Sequence, residues 1–262
     1  MMLIDTHTHL YDEAFDNDRN EVFGRAREAG VGRFIFPAID SQSDEALFST
    51  CRQHPECLPL MGLHPTSVND NPQWREELKR VETYLKKPPV DRFYGIGEVG
   101  LDLYWSEEWR REQTEVFDCQ VELSLRYDLP LVIHTRSAWA EMIEILERYR
   151  GSGLRGVMHA FADTAESYQR VKSCGDFLFG IGGVVTYKKS TLPEVVRSIP
   201  LSDIVLETDS PYLPPVPFRG RRNESAFLSY ICNAVAAIKE VQPDEVAAQT
   251  TINACRMFGI EP

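Results

Sequence analysis

The sequence predicts a single-domain (β/α)8 barrel of the TIM type, and three observations predict it. The chain has 262 residues, close to the roughly 250 typical of one such barrel. It carries eight short apolar runs separated by stretches of helical periodicity. No linker, low-complexity segment or short repeat divides it, so residues 1–262 are read as one domain.

The predicted strands are 2–6, 33–38, 58–63, 92–97, 129–134, 156–159, 177–185 and 204–207. Most are continuously apolar rather than alternating, which fits strands buried on both faces of a parallel sheet. The stretches between them recur at helical spacing. Phe15, Val22, Ala26 and Ala29 share one face of the first. Trp109, Val116, Cys119 and Leu123 do so after the fourth strand, and Phe227, Tyr230, Ile231, Ala234 and Ile238 do so after the eighth. Gly-Val-Gly at 30–32 and Leu-Pro at 129–130 mark helix ends. Eight βα units close naturally into a barrel. An open doubly wound sheet is the weaker alternative, because no Gly-x-Gly-x-x-Gly turn follows an early strand.

Composition narrows the function. A formal net charge of −12 argues against a protein that coats nucleic acid through a basic face. It leaves open an enzyme needing positive charge only where a phosphate sits. No apolar run reaches the ~18 residues of a membrane helix. The opening residues lack the basic region and long apolar core of a signal peptide. The six cysteines are scattered without a Cys-x-x-Cys pair, so they read as reduced thiols. A cytoplasmic protein with no obligate protein partner is the expectation.

The histidines carry the chemistry. His7 and His9 close the first predicted strand, His134 the fifth and His159 the sixth. Glu98 follows the fourth strand and Asp209 the eighth. In a barrel these ends meet on the C-terminal rim, where active sites are built. Residues i and i+2 of a strand point the same way, so His7 and His9 can share one metal. Imidazoles and carboxylates together suit a binuclear site. One histidine at a strand end is usually structural, but six such groups on one rim are not independent accidents. His54 stands outside the pattern, as a solvated helix-end residue. His64, in Gly-Leu-His-Pro, is either a further ligand or a positioned acid or phosphate contact. Glu207 is either a partner of the ligands or a buried carboxylate balanced by a charged neighbour.

Cations fringe the same rim: Arg136, Lys188, Lys189, Arg219, Arg221 and Arg222. Guanidinium forks recognise phosphate well, which points to an anionic substrate. Tyr104, Trp105 and Phe161 are aromatic groups that either stack on a base or pack their loops.

Several motifs in order resemble the TatD family of metal-dependent deoxyribonucleases, nearly end to end. They are Ile-Asp-Thr-His-Thr-His at 4–9, Gly-Leu-His-Pro at 62–65, Gly-Ile-Gly-Glu-Val-Gly-Leu-Asp at 95–102 and Leu-Pro-Leu-Val-Ile-His-Thr-Arg at 129–136. His-Ala-Phe at 159–161, Gly-Ile-Gly-Gly at 180–183, Leu-Glu-Thr-Asp-Ser-Pro-Tyr-Leu at 206–213 and Arg-Gly-Arg-Arg-Asn-Glu at 219–224 continue the match. Ser225 departs from it, since the family usually has Pro after Asn-Glu. The resemblance implies hydrolysis of phosphodiester bonds in DNA, commonly from the 3′ end. It implies two divalent ions (magnesium, manganese or zinc) on His7, His9, Glu98, His134, His159 and Asp209, with Glu98 bridging. Asp209, His64 and Glu98 are then the expected catalytic residues, and His64, Arg136, Arg219 and Asn223 the expected substrate contacts.

The main rival is an amidohydrolase or lactonase of the same superfamily. Many of those bridge their metals with a carboxylated lysine where this chain has Glu98. A non-catalytic binding relative is a second rival, and the complete ligand set argues against it.

Overall fold

The computed structural model describes residues 2–261. Among them it has eight strands and nine α-helices, alternating until the last pair of helices. In chain order these are β1 (Leu3–Asp5), α1 (Arg19–Glu28), β2 (Val31–Phe36), α2 (Asp44–Gln53), β3 (Cys57–Pro59) and α3 (Trp74–Lys86). There follow β4 (Ile96–Asp102), α4 (Arg110–Tyr127), β5 (Leu131–Arg136), α5 (Trp139–Arg148), β6 (Arg155–Met158) and α6 (Ala165–Cys174). The chain ends with β7 (Asp176–Ile181), α7 (Leu192–Ser198), β8 (Ile204–Leu206), α8 (Leu228–Lys239) and α9 (Pro243–Phe258). Each of the eight apolar runs contributes one strand.

The chain divides into two compact units. The first comprises Met1–Phe36, Ala160–Tyr168 and Leu178–Pro262. In it β7 pairs in parallel with β8, and β1 with β2. The carbonyl of Leu206 at the end of β8 accepts from both the amide and the hydroxyl of Thr6, each at 3.0 Å, so β8 also neighbours β1. Helix α9 lies against β1 and β8. Its Asn253 amide donates to the carbonyls of Leu201 and Ile204, where β8 begins. Pro243 in the first turn and Gly259 at φ +61° beyond the last bound that helix.

The second unit comprises Pro37–His159 and Gln169–Phe177. Here β4 pairs in parallel with β5, and β5 with β6. The segment that begins as β3 joins β4 through Met61 N–H to Gly95 O and Gly97 N–H to Met61 O, both 3.2 Å. Each unit is thus a run of four neighbouring strands. All seven residues of β4 are buried, as the apolar patterning requires of a strand covered on both faces.

Several boundaries differ from expectation. The fourth strand runs over Ile96–Asp102 rather than 92–97, so Glu98 lies inside it. Gly100 makes this possible. Its φ is +137°, and a Cβ there would sit 2.0 Å from the carbonyl oxygen of His134. The seventh strand stops at Ile181, and residues Gly183–Thr186 turn into a short 3-10 helix after the Gly182-Gly183 pair. Phe15 is in a 3-10 turn capped by Asp12, whose carboxylate accepts from Ala14 N–H at 2.7 Å, and α1 begins only at Arg19. Val31 and Gly32 belong to β2, while Gly30 at φ +87° ends the preceding helix. His54 does cap the end of α2, but it is half-buried with its ring 3.8 Å from Glu56.

Candidate metal centre

In the first unit the segments beyond β1 and β8 run side by side. Asp209 N–H donates to His7 O at 2.9 Å, and His9 N–H donates to Ser210 O at 2.8 Å. This continuation of strand pairing brings two imidazoles beside one carboxylate. His7 Nε2 and His9 Nε2 are 3.2 Å apart, and Asp209 Oδ1 lies 3.8 Å and 3.6 Å from them. The Tyr11 hydroxyl, 3.0 Å from His9 Nδ1, fixes that ring. Asp209 has φ +58°, a left-handed conformation that aspartate adopts more readily than most side chains. Its backbone is held there by the bond to His7 and by Tyr212 N–H, which donates to its carbonyl at 2.7 Å. Such positions cost of order 1–3 kcal/mol and cluster at functional sites.

Two further carboxyls in this unit are fully buried. Asp5 accepts from the Thr208 amide (2.9 Å) and hydroxyl (2.6 Å), tying β1 to the segment after β8. Burial pushes its pKa up to about 7. Glu207 Oε1 accepts from the Ala160 amide at 2.6 Å. Its carboxylate fills the space a side chain at Gly180 would need, 2.1 Å from where that Cβ would stand.

In the second unit Glu98 is the hub. Its Oε1 lies 3.1 Å from His134 Nδ1, 3.4 Å from His64 Nε2 and 3.8 Å from His159 Nε2. His134 Nε2 is 3.0 Å from Asp102 Oδ2 and donates to it, while Nδ1 faces Glu98 on the other side of the ring. Burial works against charge on His134, but its contacts with Asp102 and Glu98 outweigh this and raise its pKa. Burial likewise opposes ionisation of Asp102, and His134 more than offsets it, so that pKa is lowered. His64 differs. The Thr66 amide donates to its Nδ1 at 3.2 Å, so in the neutral ring Nε2 carries the proton and points it toward Glu98.

Helix α4 holds this arrangement through two glutamines seven residues apart, buried on one face. Gln120 exchanges two hydrogen bonds with the backbone of Leu63, the residue before His64. Gln113 does the same with the backbone of Asp102.

The donor chemistry fits divalent metal. Two ligands about 2.1 Å from one ion stand roughly 3.0 Å apart at a right angle and about 3.4 Å apart at the tetrahedral angle. The spacings of 3.2–3.8 Å in the first cluster and 3.1–3.8 Å in the second fall around that range. His64, Glu98 and His134 form one candidate group of metal-holding residues. His134 Nδ1 and Glu98 Oε1 face each other 3.1 Å apart, a spacing at which one cation, a proton or a metal ion, joins them. The other nitrogen of His134 is held by a carboxylate, as metal-ligating imidazoles usually are.

The cations of the fringe are partly committed. Arg222 donates to both Asp18 oxygens (2.8 and 2.6 Å) and to Ala14 O (2.6 Å). Arg219 lies over the Tyr187 ring, 4.3 Å from its centroid. Arg136 lies over the Tyr104 ring at 3.7 Å. Asn223, expected to touch substrate, is fully buried, and its amide donates to the carbonyls of Thr208 (2.7 Å) and Tyr212 (2.6 Å). The structure gives it the job of pinning the loop after β8. Phe161 packs in the interior against Phe179.

Residues 4–259 match the family described as TatD related DNase. The chain belongs to the TatD family. It is 34% identical to the uncharacterized metal-dependent hydrolase YabD of Bacillus subtilis strain 168, over 99% of this chain and all of the relative. It is 31% identical to the 3′-5′ ssDNA/RNA exonuclease TatD of Erwinia tasmaniensis, over 98% of this chain and all of that one. The crystal structure of the TatD homologue YjjV from Escherichia coli K12 superposes with a TM-score of 0.91 at 27% identity, covering 99% of this chain and 98% of that one. The TatD fold is the α/β architecture with parallel strands that the sequence predicts, a TIM-type barrel in one domain. Like its TatD relatives the chain is a metal-dependent hydrolase. Among the described residues no helix is long and apolar enough to cross a membrane.

Asp102, Tyr11, Gln113 and Gln120 escaped the sequence reading. Asp102 had a usable signal. It lies four residues after Glu98 on a strand, and even spacing puts the two on one face.

Proposed function

We propose that this TatD protein hydrolyses phosphodiester bonds in DNA as a 3′-5′ exodeoxyribonuclease, and that its imidazole–carboxylate clusters would hold two divalent ions. The observation that carries the reading is the pair of imidazole–carboxylate clusters set by chain segments that follow or form barrel strands. His7, His9, Glu98, His134, His159 and Asp209 are the proposed ligands. Magnesium, manganese or zinc suits this mixed nitrogen and oxygen set. When bound, such ions supply Lewis acidity toward water and the phosphoryl oxygens.

The chain's own residues do the rest. Asp209 Oδ1 accepts the proton of the attacking water, as a general base. His64 holds a proton on Nε2, set there by Thr66, and offers it to a phosphoryl or leaving oxygen. Arg136 and Arg219 meet phosphates with planar forks. Asp102 keeps the His134 ring in the orientation its ligand role needs. Asn223 supports the loop that carries Arg219. In-line displacement of this kind draws most of its rate from positioning and electrostatics. The name of the Erwinia relative supports single-stranded nucleic acid as the substrate class. The expected location is the cytoplasm.

A substrate panel tests the reading. Turnover of single-stranded DNA with none of lactones or dipeptides supports it. Turnover of a lactone or dipeptide with DNA untouched would transfer the chain to the small-molecule branch of the superfamily.

A further inference from the structure

We infer that Tyr104, Trp105 and Arg136 form a subsite that stacks an unpaired nucleobase beside the Glu98–His134 cluster. This rests on the nucleic-acid reading above and adds how single strands are selected.

The observations begin with exposure. Trp105 is 68% exposed and Tyr104 55%, on a chain that buries most of its large aromatic residues. Two adjacent aromatic rings left in water forgo the stabilisation that burying them would give. The rings stand edge to face with centroids 4.9 Å apart. The Arg136 guanidinium lies 3.7 Å from the Tyr104 centroid and 5.3 Å from that of Trp105. A flat cation against two aromatic faces is a surface on which a base can stack, with the positive charge matched to the adjoining phosphate.

The chain ties this patch to the cluster. Asp102 accepts from Tyr104 N–H through Oδ1 (3.1 Å) and from His134 through Oδ2 (3.0 Å). Leu103 N–H donates to Arg136 O at 3.0 Å. Arg136 follows His134 by two residues on β5, so the two side chains share one side of the strand. One carboxylate therefore sets both the aromatic turn and the imidazole.

A paired base hides its faces in the helical stack, so only a frayed or single-stranded base can use this platform. Stacking contributes discrimination between single and double strands, and tolerates any base because every base has a π face.

The test compares native protein with Trp105→Ala and Trp105→Phe on two probes. One is oligo(dT); the other is a chain of abasic deoxyribose phosphates of equal length. The inference predicts that Trp105→Ala raises KM for oligo(dT) roughly 5- to 100-fold and leaves KM for the abasic chain unchanged. Trp105→Phe, which keeps a ring, restores most of the loss. Equal KM values for native protein and Trp105→Ala on oligo(dT), or equal rises on both probes, would overturn it. If native protein cleaves neither probe, the nuclease reading fails instead. Tryptophan fluorescence of chelated protein then decides the subsite alone. Quenching by oligo(dT), absent with the abasic chain and lost in Trp105→Phe, supports stacking, and no quenching in native protein overturns it.

Discussion

At the scale of single residues, Asp209 bears the heaviest claim. It combines a left-handed backbone with a carboxylate facing His7 and His9. Asp209→Asn keeps the shape and one oxygen donor but removes the charge. Turnover is expected to fall by ~10²–10⁴-fold, the range for a lost general base. Melting temperature is expected to hold and at least one metal to stay bound. Near-normal kcat with a lowered melting temperature would show that Asp209 merely shapes its turn. Asp102 makes a complementary case. Asp102→Asn removes the charged acceptor of His134 Nε2 and is expected to weaken metal binding about 10–100-fold, as read by titration with a metal indicator. Unchanged affinity would mean that the His134 ring needs no such hold. Residue type and expected strand-end position named the six proposed ligands in the sequence, and the structure gathers His7, His9 and Asp209 in one cluster and Glu98, His134 and His159 in another. The role of Asn223 was not legible there, since an amide in a basic loop looks the same whether it meets substrate or backbone. Its burial separates the two.

At the scale of elements, the loop after β8 and helix α4 are where sequence and structure part. The sequence shows Arg219, Arg221 and Arg222 as one basic patch, yet Arg222 is clipped to Asp18 across the chain. Asp18 also receives Arg25, which pairs with Glu224. Arg222→Ala is therefore expected to lower melting temperature by about 2–4 °C at neutral pH, with little change in KM for DNA. The hydrogen bond from Arg222 lowers the Asp18 pKa. A depressed carboxyl stabilises the fold above its unfolded pKa of roughly 4 and loses that contribution as pH falls through the folded value. The gap in melting temperature between native protein and variant should accordingly narrow below pH ~4. A gap independent of pH would rule out the Asp18 clip. For α4 the apolar periodicity found the helix but passed over Gln113 and Gln120, because polar residues on a buried face run against the pattern. Gln120→Ala leaves the Leu63 backbone without its side-chain partner and is expected to cost ~1–3 kcal/mol in chemical denaturation. No loss of stability would show that Gln120 is no peg.

At the scale of the whole molecule, the order of strands and helices followed from periodicity alone, since burial on both faces leaves a continuous apolar run that is hard to mistake. Boundaries followed less well. Gly100 and the Gly182-Gly183 pair extend one strand and end another, through backbone conformations that hydrophobicity does not encode. Within each cluster the proposed ligands come from far apart in the chain and meet only if the strands pair in order, so metal binding is expected to couple to folding. The central claim is that divalent metal held by these six residues carries the hydrolysis. Its most direct test strips the protein with chelator, then measures turnover of a single-stranded oligonucleotide and bound metal as magnesium, manganese or zinc is added back. The account predicts no turnover in stripped protein and recovery that tracks binding of two ions per chain. Stripped protein cleaving at the original rate would contradict it.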